Sequence, residues 1–371
     1  MNTVDQSKTK INSKVRHDLN SKIFLINRYA PLSSTYRYVQ DLSSIFGMKA
    51  TILNLKFNSM GIKPICSGVS FEGMFRKLPY LNYLFRNIAF TNARKYIESL
   101  TENSDNAIVH YTNQFSGVLN ISDVITIVTV HDSPYYVGDS SFITRRYLIQ
   151  LYNSLKEQRY IITDTNHLKN ELIDFGFEGE ITTVYLPYSP RFQRLSLEKE
   201  ALRKKLALPN NKKLVLSVST DSARKNLPMV KKVVDELGND FRLVRVGTPL
   251  GDSITFKGVD DESLNELYNA CDVLLFPSLY EGFGFPIVEA FASGLPVVTS
   301  DIPTIREVAG NAAVLCDPRD TENLKDGIRH AIDHADELMR KGGERSLLFS
   351  FERFKSNILS LYNRIEKTPY E

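Results

Sequence analysis

The chain has 371 residues, 42% of them hydrophobic and 24% charged, with a formal net charge of +3. That length allows two buried cores, and the apolar content excludes an intrinsically disordered chain. Three scattered cysteines, Cys66, Cys271 and Cys316, exclude a disulfide scaffold, lack the spacing of a zinc site and suit a reducing compartment.

Residues 1–20 are polar and basic, which reads as a flexible tail rather than a secretory signal, and no apolar run is long enough to span a bilayer. A cytoplasmic protein is therefore expected. Charge is uneven: residues 1–100 hold 15 Lys and Arg against 5 Asp and Glu, and the remainder 31 against 38. A basic first quarter fits peripheral contact with a membrane face or a phosphate-bearing acceptor, and equally a plain solvated surface. No nucleic-acid partner is expected.

Strands are predicted at Lys22–Asn27, Ala50–Leu55, Ala107–Tyr111, Val124–Val130 and Tyr160–Thr163, then at Lys213–Ser219, Arg242–Val246, Asp272–Phe276 and Pro296–Thr299. Several are unbroken Val/Ile/Leu runs, as in parallel strands covered on both faces. Helical patterns between them build βαβ units. The alternation restarts near residue 213, after a charged, proline-bracketed linker over residues 188–212. The expectation is an α/β chain with two Rossmann-like doubly wound domains, 21–190 and 191–348, facing across a cleft. A helical pattern follows at 349–367. Ligands of such sheets bind at the carboxyl ends of the strands.

The sharpest chemical signal is CDVLLFPSLYEGFGFPIVEAFASGLPVVTS, residues 271–300. A strand runs into a loop with Gly282 and Gly284, and Pro286 opens a helix that carries Glu289. Glycines let a backbone approach a ligand closely, and free N–H groups at a helix start favour an anion such as a diphosphate. Glu281 and Glu289 are placed to accept hydrogen bonds from hydroxyls. An isolated glutamate here reads as ordinary; the whole string does not.

Glu281 and Glu289, with seven residues between them, resemble the E-x7-E motif of retaining glycosyltransferases of the GT-B fold, in the large family 4 group. The resemblance is strong over about residues 210–330 and weak elsewhere. It implies that Glu281 holds hydroxyls of the donor sugar, that Glu289 binds the ribose, and that the amides around Gly282, Phe283 and Gly284 line the sugar and phosphate site. The string SVSTDSARKNLPMV, residues 217–230, resembles the family's G-T-x-x-P-R-K-N loop. That puts Arg224 and Lys225 on the diphosphate, with Thr220 where many members carry arginine. Ser219 and Ala223 depart from the usual glycine and proline. Gly258 and Val259 would pack on the nucleobase.

In the first half, VITIVTVHDSPYY places His131 and Asp132 just past a strand. Such a pair resembles a family feature beside the donor sugar and acceptor; a structural histidine is the bland alternative, and the better reading for His110. TDTNHLKNEL, residues 163–172, reads as a structural N-capped helix. Ser33 and Ser34 replace the Gly-Gly turn of many members. Residues 71–100 mix aromatics with Arg and Lys, either as a core helix or as a membrane-facing surface. Residues 349–367 resemble the terminal helix that returns to the first domain.

The resemblance implies transfer of a hexosyl, and by weaker analogy mannosyl, group from a nucleotide diphosphate sugar to a glycan or lipid-linked acceptor, with retention. The sequence holds no D-x-D motif, so no cofactor or metal is expected, and cationic side chains would stabilise the leaving group. The rivals are a nucleotide-sugar epimerase on the same fold and a non-catalytic nucleotide-sugar-binding subunit of a glycan-assembly complex. The lack of a G-x-G-x-x-G turn disfavours a dehydrogenase.

Overall fold

A computed structural model describes residues 19–27, 34–54, 94–102, 106–114, 121, 124–136 and 142–368. Most of the predicted tail, Ser33, and residues 71–93 of the aromatic-basic stretch lie outside the described residues. The predicted tail ends too late: Leu19 is already buried in the core, and the Asn20 and Ser21 amides donate to the Glu366 carboxylate.

The first sheet holds β1 (Lys22–Asn27), β2 (Ala50–Asn54), β3 (Ala107–Tyr111), β4 (Ile125–Val130), β5 (Tyr160–Thr163) and β6 (Glu180–Thr183) in the order β2-β1-β3-β4-β5-β6. The second holds β7 (Lys213–Val218), β8 (Phe241–Val246), β9 (Ile254–Phe256), β10 (Val273–Phe276), β11 (Val297–Ser300) and β12 (Val314–Cys316) in the order β12-β11-β10-β7-β8-β9. Every strand pair is parallel. Both sheets are therefore doubly wound, as expected.

The unbroken apolar runs have a direct cause. Ile23 and Leu25 enter one core cluster while Phe24 and Ile26 enter another. Leu214 and Leu216 share the first of these, while Val215 lies on the opposite face of its sheet. Each face of each sheet is thus covered, and successive residues are buried on alternate sides. The cluster shared by the two sheets also takes in Phe354, Ile358, Leu361 and Ile365 of the helix Phe351–Glu366. Tyr362 of that helix shares a 2.6 Å hydrogen bond with His110 Nδ1, which ties it to the first sheet.

The predicted linker 188–212 contains the helix Lys199–Lys205. Arg203 on that helix donates to the Ala270 carbonyl at 2.9 Å and to Asp272 Oδ2 at 2.6 Å, so it belongs with the second sheet. Three short strands were not predicted: β6, β9 and β12 are sheet edges with mostly half-buried residues. Among the described residues no helix is long and apolar enough to cross a membrane.

Candidate active site

The second sheet reverses its order between β7 and β10, where β8 and β9 lie to one side and β11 and β12 to the other. In an open α/β sheet this switch point opens a crevice at the carboxyl ends of the strands. The loops that leave β7 and β10 are the two strings singled out in the sequence. They are stitched together. Asn226, in the left-handed conformation (φ 55°), donates through Nδ2 to the carbonyls of Pro277 and Pro318. The Leu279 amide donates to the Arg224 carbonyl at 2.7 Å.

Across this seam Lys225 Nζ donates to Glu281 Oε1 at 2.5 Å, and Arg224 Nη1 donates to Glu281 Oε2 at 3.0 Å and to the Tyr280 carbonyl at 3.2 Å. Glu281 is 5% exposed, and each of its oxygens accepts a bond from a cationic side chain. Burial lowers the Lys225 ammonium below the usual lysine value, with Glu281 opposing and neighbouring Arg224 reinforcing the shift. Two cations against one carboxylate leave the cluster suited to an anion.

Next to it Gly284, at φ 103°, is the N-cap of the helix Phe285–Ala292, with Pro286 in its first turn. Pro286 has no N–H and the Ile287 amide donates to the Gly284 carbonyl at 3.0 Å, so this helix start favours an anion through the Phe285 amide and the helix dipole. Gly282 lies against the opposite domain: a Cβ there would sit 2.3 Å from the His131 carbonyl oxygen, which only glycine permits. Tyr38, His131, Asp132, Asp164 and Leu186 of the first half, and Arg224, Lys225, Glu281, Gly282, Phe283, Gly284, Phe285 and Pro286 of the second, enclose a cavity of about 210 Å³.

The first-domain wall is fixed by a buried polar network. His131 Nε2 lies 2.9 Å from the Thr112 carbonyl and Nδ1 lies 2.8 Å from Asp164 Oδ2. A carbonyl only accepts, so Nε2 carries a proton, and the Nδ1–Asp164 contact holds one more. Burial opposes the cationic ring, but the Asp164 carboxylate outweighs it and His131 is held above its ordinary value; burial likewise raises Asp164. Asp132 accepts from Gln114 Nε2 at 3.4 Å, and its carbonyl accepts from the Tyr152 hydroxyl at 2.6 Å. His110 is fully buried between Tyr362 and Thr129, and burial lowers it to about 3. It is a neutral structural residue, as read from the sequence.

The structure therefore gathers His131, Asp132, Arg224, Lys225, Glu281, Gly282, Phe283 and Gly284 at one cavity. It does not bring the remaining site residues into its lining. Thr220 and Gly258 are exposed and Val259 is half-buried, at the carboxyl ends of β7 and β9. Glu289 is buried behind the cavity. It accepts from the Tyr268 hydroxyl at 3.0 Å and pairs with Arg37 of the first domain at 3.7 Å, and burial raises it to about 7. Sequence reading missed Asp164, Tyr38 and Arg37. It also missed Glu307, which accepts across the domains from the Asn166 and His167 amides and the Tyr185 hydroxyl at 2.6, 2.7 and 2.9 Å. Among the described residues no group of three His, Cys, Asp or Glu side chains is arranged as metal ligands.

Two parallel-sheet domains with a switch-point cavity between them define a GT-B protein. The HepE protein of Anabaena, solved with UDP-glucose, superposes with a TM-score of 0.70 at 15% identity, covering 91% of this chain and 98% of that one. Residues 198–346 match the family described as glycosyl transferases group 1. It is 30% identical over 226 residues to the O-antigen chain mannosyltransferase RfbU of Salmonella typhimurium, 57% of this chain and 62% of that protein. It is 35% identical over 128 residues to the O-antigen chain mannosyltransferase B of Escherichia coli, 33% of each. The chain thus spans less than two thirds of either curated relative.

Proposed function

We propose that the chain is a glycosyltransferase that moves a hexosyl group, most narrowly mannosyl, from a nucleotide diphosphate sugar to a glycan or lipid-linked acceptor, with retention and without a metal. The observation that carries this reading is the Arg224–Glu281–Lys225 cluster at the switch point, facing His131 and Asp132 across one cavity. The donor class is supported by the UDP-glucose bound to HepE, and the mannosyl assignment by the names of the two O-antigen relatives.

In this reading the diphosphate lies on Lys225, Arg224 and the Phe285 amide at the start of Phe285–Ala292. These groups gain most as negative charge develops on the departing nucleotide, which is where stabilisation accelerates transfer. Glu281 holds both cations in register and presents its remaining lone pairs to sugar hydroxyls. His131 and Asp132 form the opposite wall, and the Gly282–His131 approach closes the site against water. Glu289 takes the ribose hydroxyls once Arg37 moves aside. The acceptor side is the first domain, with its basic N-terminal quarter.

The test is to incubate the protein with UDP-, GDP- and ADP-hexoses, with and without a glycan or lipid-linked acceptor and EDTA. Nucleoside diphosphate release is followed together with the anomeric configuration of the product. Acceptor-dependent release, insensitive to EDTA and with retained configuration, is expected. An isomerised nucleotide sugar formed without acceptor identifies an epimerase instead, and binding without turnover identifies a donor-binding subunit.

A further inference from the structure

Asp164 follows β5 directly, and its segment reads in the sequence only as the lead-in to a capped helix. Thr165 does serve as that cap, accepting from the Leu168 amide at 3.2 Å. The preceding aspartate takes no part in the cap. It is 2% exposed, lines the cavity, and gives one oxygen, Oδ2, to His131. Its other oxygen, Oδ1, is buried and has no hydrogen-bond partner.

Buried polar atoms are nearly always paired, and an exception at a cavity wall is where a ligand atom can complete the set. The neighbours do not complete it. Both His131 ring nitrogens are committed, to Thr112 and to Asp164 itself. The Tyr38 hydroxyl is bonded to Thr129 at 2.8 Å. Arg224 and Lys225 are bonded to Glu281, and the donor-site reading gives their remaining donors to the diphosphate. A carboxylate oxygen accepts, so the missing partner is a donor. The cations for the diphosphate stand on the second-domain wall and Asp164 on the first, so the donor belongs to the sugar end of the ligand.

We infer that Asp164 is a sugar-binding residue, its Oδ1 accepting a hydrogen bond from one hydroxyl of the hexosyl group while Oδ2 anchors His131. This rests on the donor-site reading above. It adds a specificity element: the site selects hexoses with a free hydroxyl at that ring position and rejects those with hydrogen or a bulky substituent there. A site built around a hydroxyl discriminates strongly against an analogue that lacks it.

The experiment is titration calorimetry on the wild type, Asp164→Asn and Asp164→Ala. The ligands are the nucleoside diphosphate bound by the wild type among UDP, GDP and ADP, its hexose conjugate, and the series of monodeoxyhexose conjugates. The variants should bind the bare nucleoside diphosphate as the wild type does, which also shows that they are folded. Asp164→Ala should bind the hexose conjugate roughly ten- to hundred-fold more weakly, and Asp164→Asn less severely. One deoxy position should weaken binding in the wild type and cost nothing further in Asp164→Ala. Equal affinities for the hexose conjugate, or parallel losses for conjugate and bare diphosphate in both variants, overturn the assignment of Asp164 alone. A wild type that binds no nucleoside diphosphate overturns the donor-site reading and this inference with it.

Discussion

Lys225 and Glu281 meet at 2.5 Å from loops that leave adjacent strands, β7 and β10, on either side of the point where the second sheet reverses its order. Fifty-six residues separate them in sequence. The pairing fixes a buried ammonium where two loops and a helix start converge, and Arg224 completes the cluster from the same carboxylate. A preset arrangement of this kind costs no reorganisation when charge develops on a leaving group.

Gly282 lies where the domains touch, with no room for a Cβ beside the His131 carbonyl. Gly282→Ala should push the walls apart while leaving the cation cluster on the second domain in place. Transfer efficiency is expected to fall by about a hundred-fold, the cost of misplacing reacting groups by an ångström, with nucleoside diphosphate affinity changed only a few-fold. Steady-state kinetics alongside calorimetry check this; undiminished turnover contradicts the closed geometry.

Glu289 is raised to about 7 by burial, with Arg37 pulling it down. Its folded value exceeds the unfolded one, so the neutral form favours folding and that stability is lost as pH rises from about 4.5 through 7. Glu289→Gln keeps a partner for the Tyr268 hydroxyl and removes the titration. Its stability relative to the wild type should rise by roughly 2–3 kcal/mol across that interval. Urea unfolding at pH 5 and pH 7.5 measures the difference; a constant offset shows that Glu289 does not titrate there.

His110 acts with the opposite sign. Burial depresses it to about 3, so its contribution is present above about pH 6.5 and lost as pH falls towards 3. Replacing it with asparagine should lower stability at pH 7 and flatten the loss on acidification. In the wild type the His110 and Glu289 slopes oppose one another between pH 5 and 6.5. The two variants should therefore change the slope of stability against pH in opposite directions relative to the wild type in that window, as urea melts at half-unit steps will show.

Glu307 caps the helix Asn166–Asp174 from the other domain. Glu307→Ala removes an acceptor for two helix-start amides and the Tyr185 hydroxyl, a loss of about 1 kcal/mol favouring the closed form. Small-angle scattering should show a larger radius of gyration for the unliganded variant, restored by a nucleotide sugar. Identical curves for variant and wild type contradict a closing role.

The parts that were legible in sequence are those written in local pattern. Lys213–Val218 and Val273–Phe276 are covered on both faces, so they read as unbroken apolar runs. Arg224, Lys225, Glu281 and the glycines sit in loops next to those runs. Edge strands such as Ile254–Phe256 have a neighbouring strand on one side alone, are short and half-buried, and left no such run. Asp164 was hidden by register. Val130 pairs with Thr163, so His131 and Asp164, each one residue past a strand end, stand side by side. Two strand ends in the same sheet were the available signal, but strand adjacency is not written locally. The Arg37–Glu289 pair and the Glu307 cap span 252 and 141 residues and depend on how the domains face each other.

The most direct measurement is a melting-temperature panel with UDP, GDP, ADP and their hexose conjugates, with and without EDTA, on the wild type and Lys225→Ala. Ligands that bind only the folded state raise its melting point. A rise with one nucleotide family, unchanged by EDTA and abolished in Lys225→Ala, is the expected result. A well-folded wild type that responds to none of them, or a Lys225→Ala variant that responds as the wild type does, contradicts a diphosphate site built on Lys225 and Glu281.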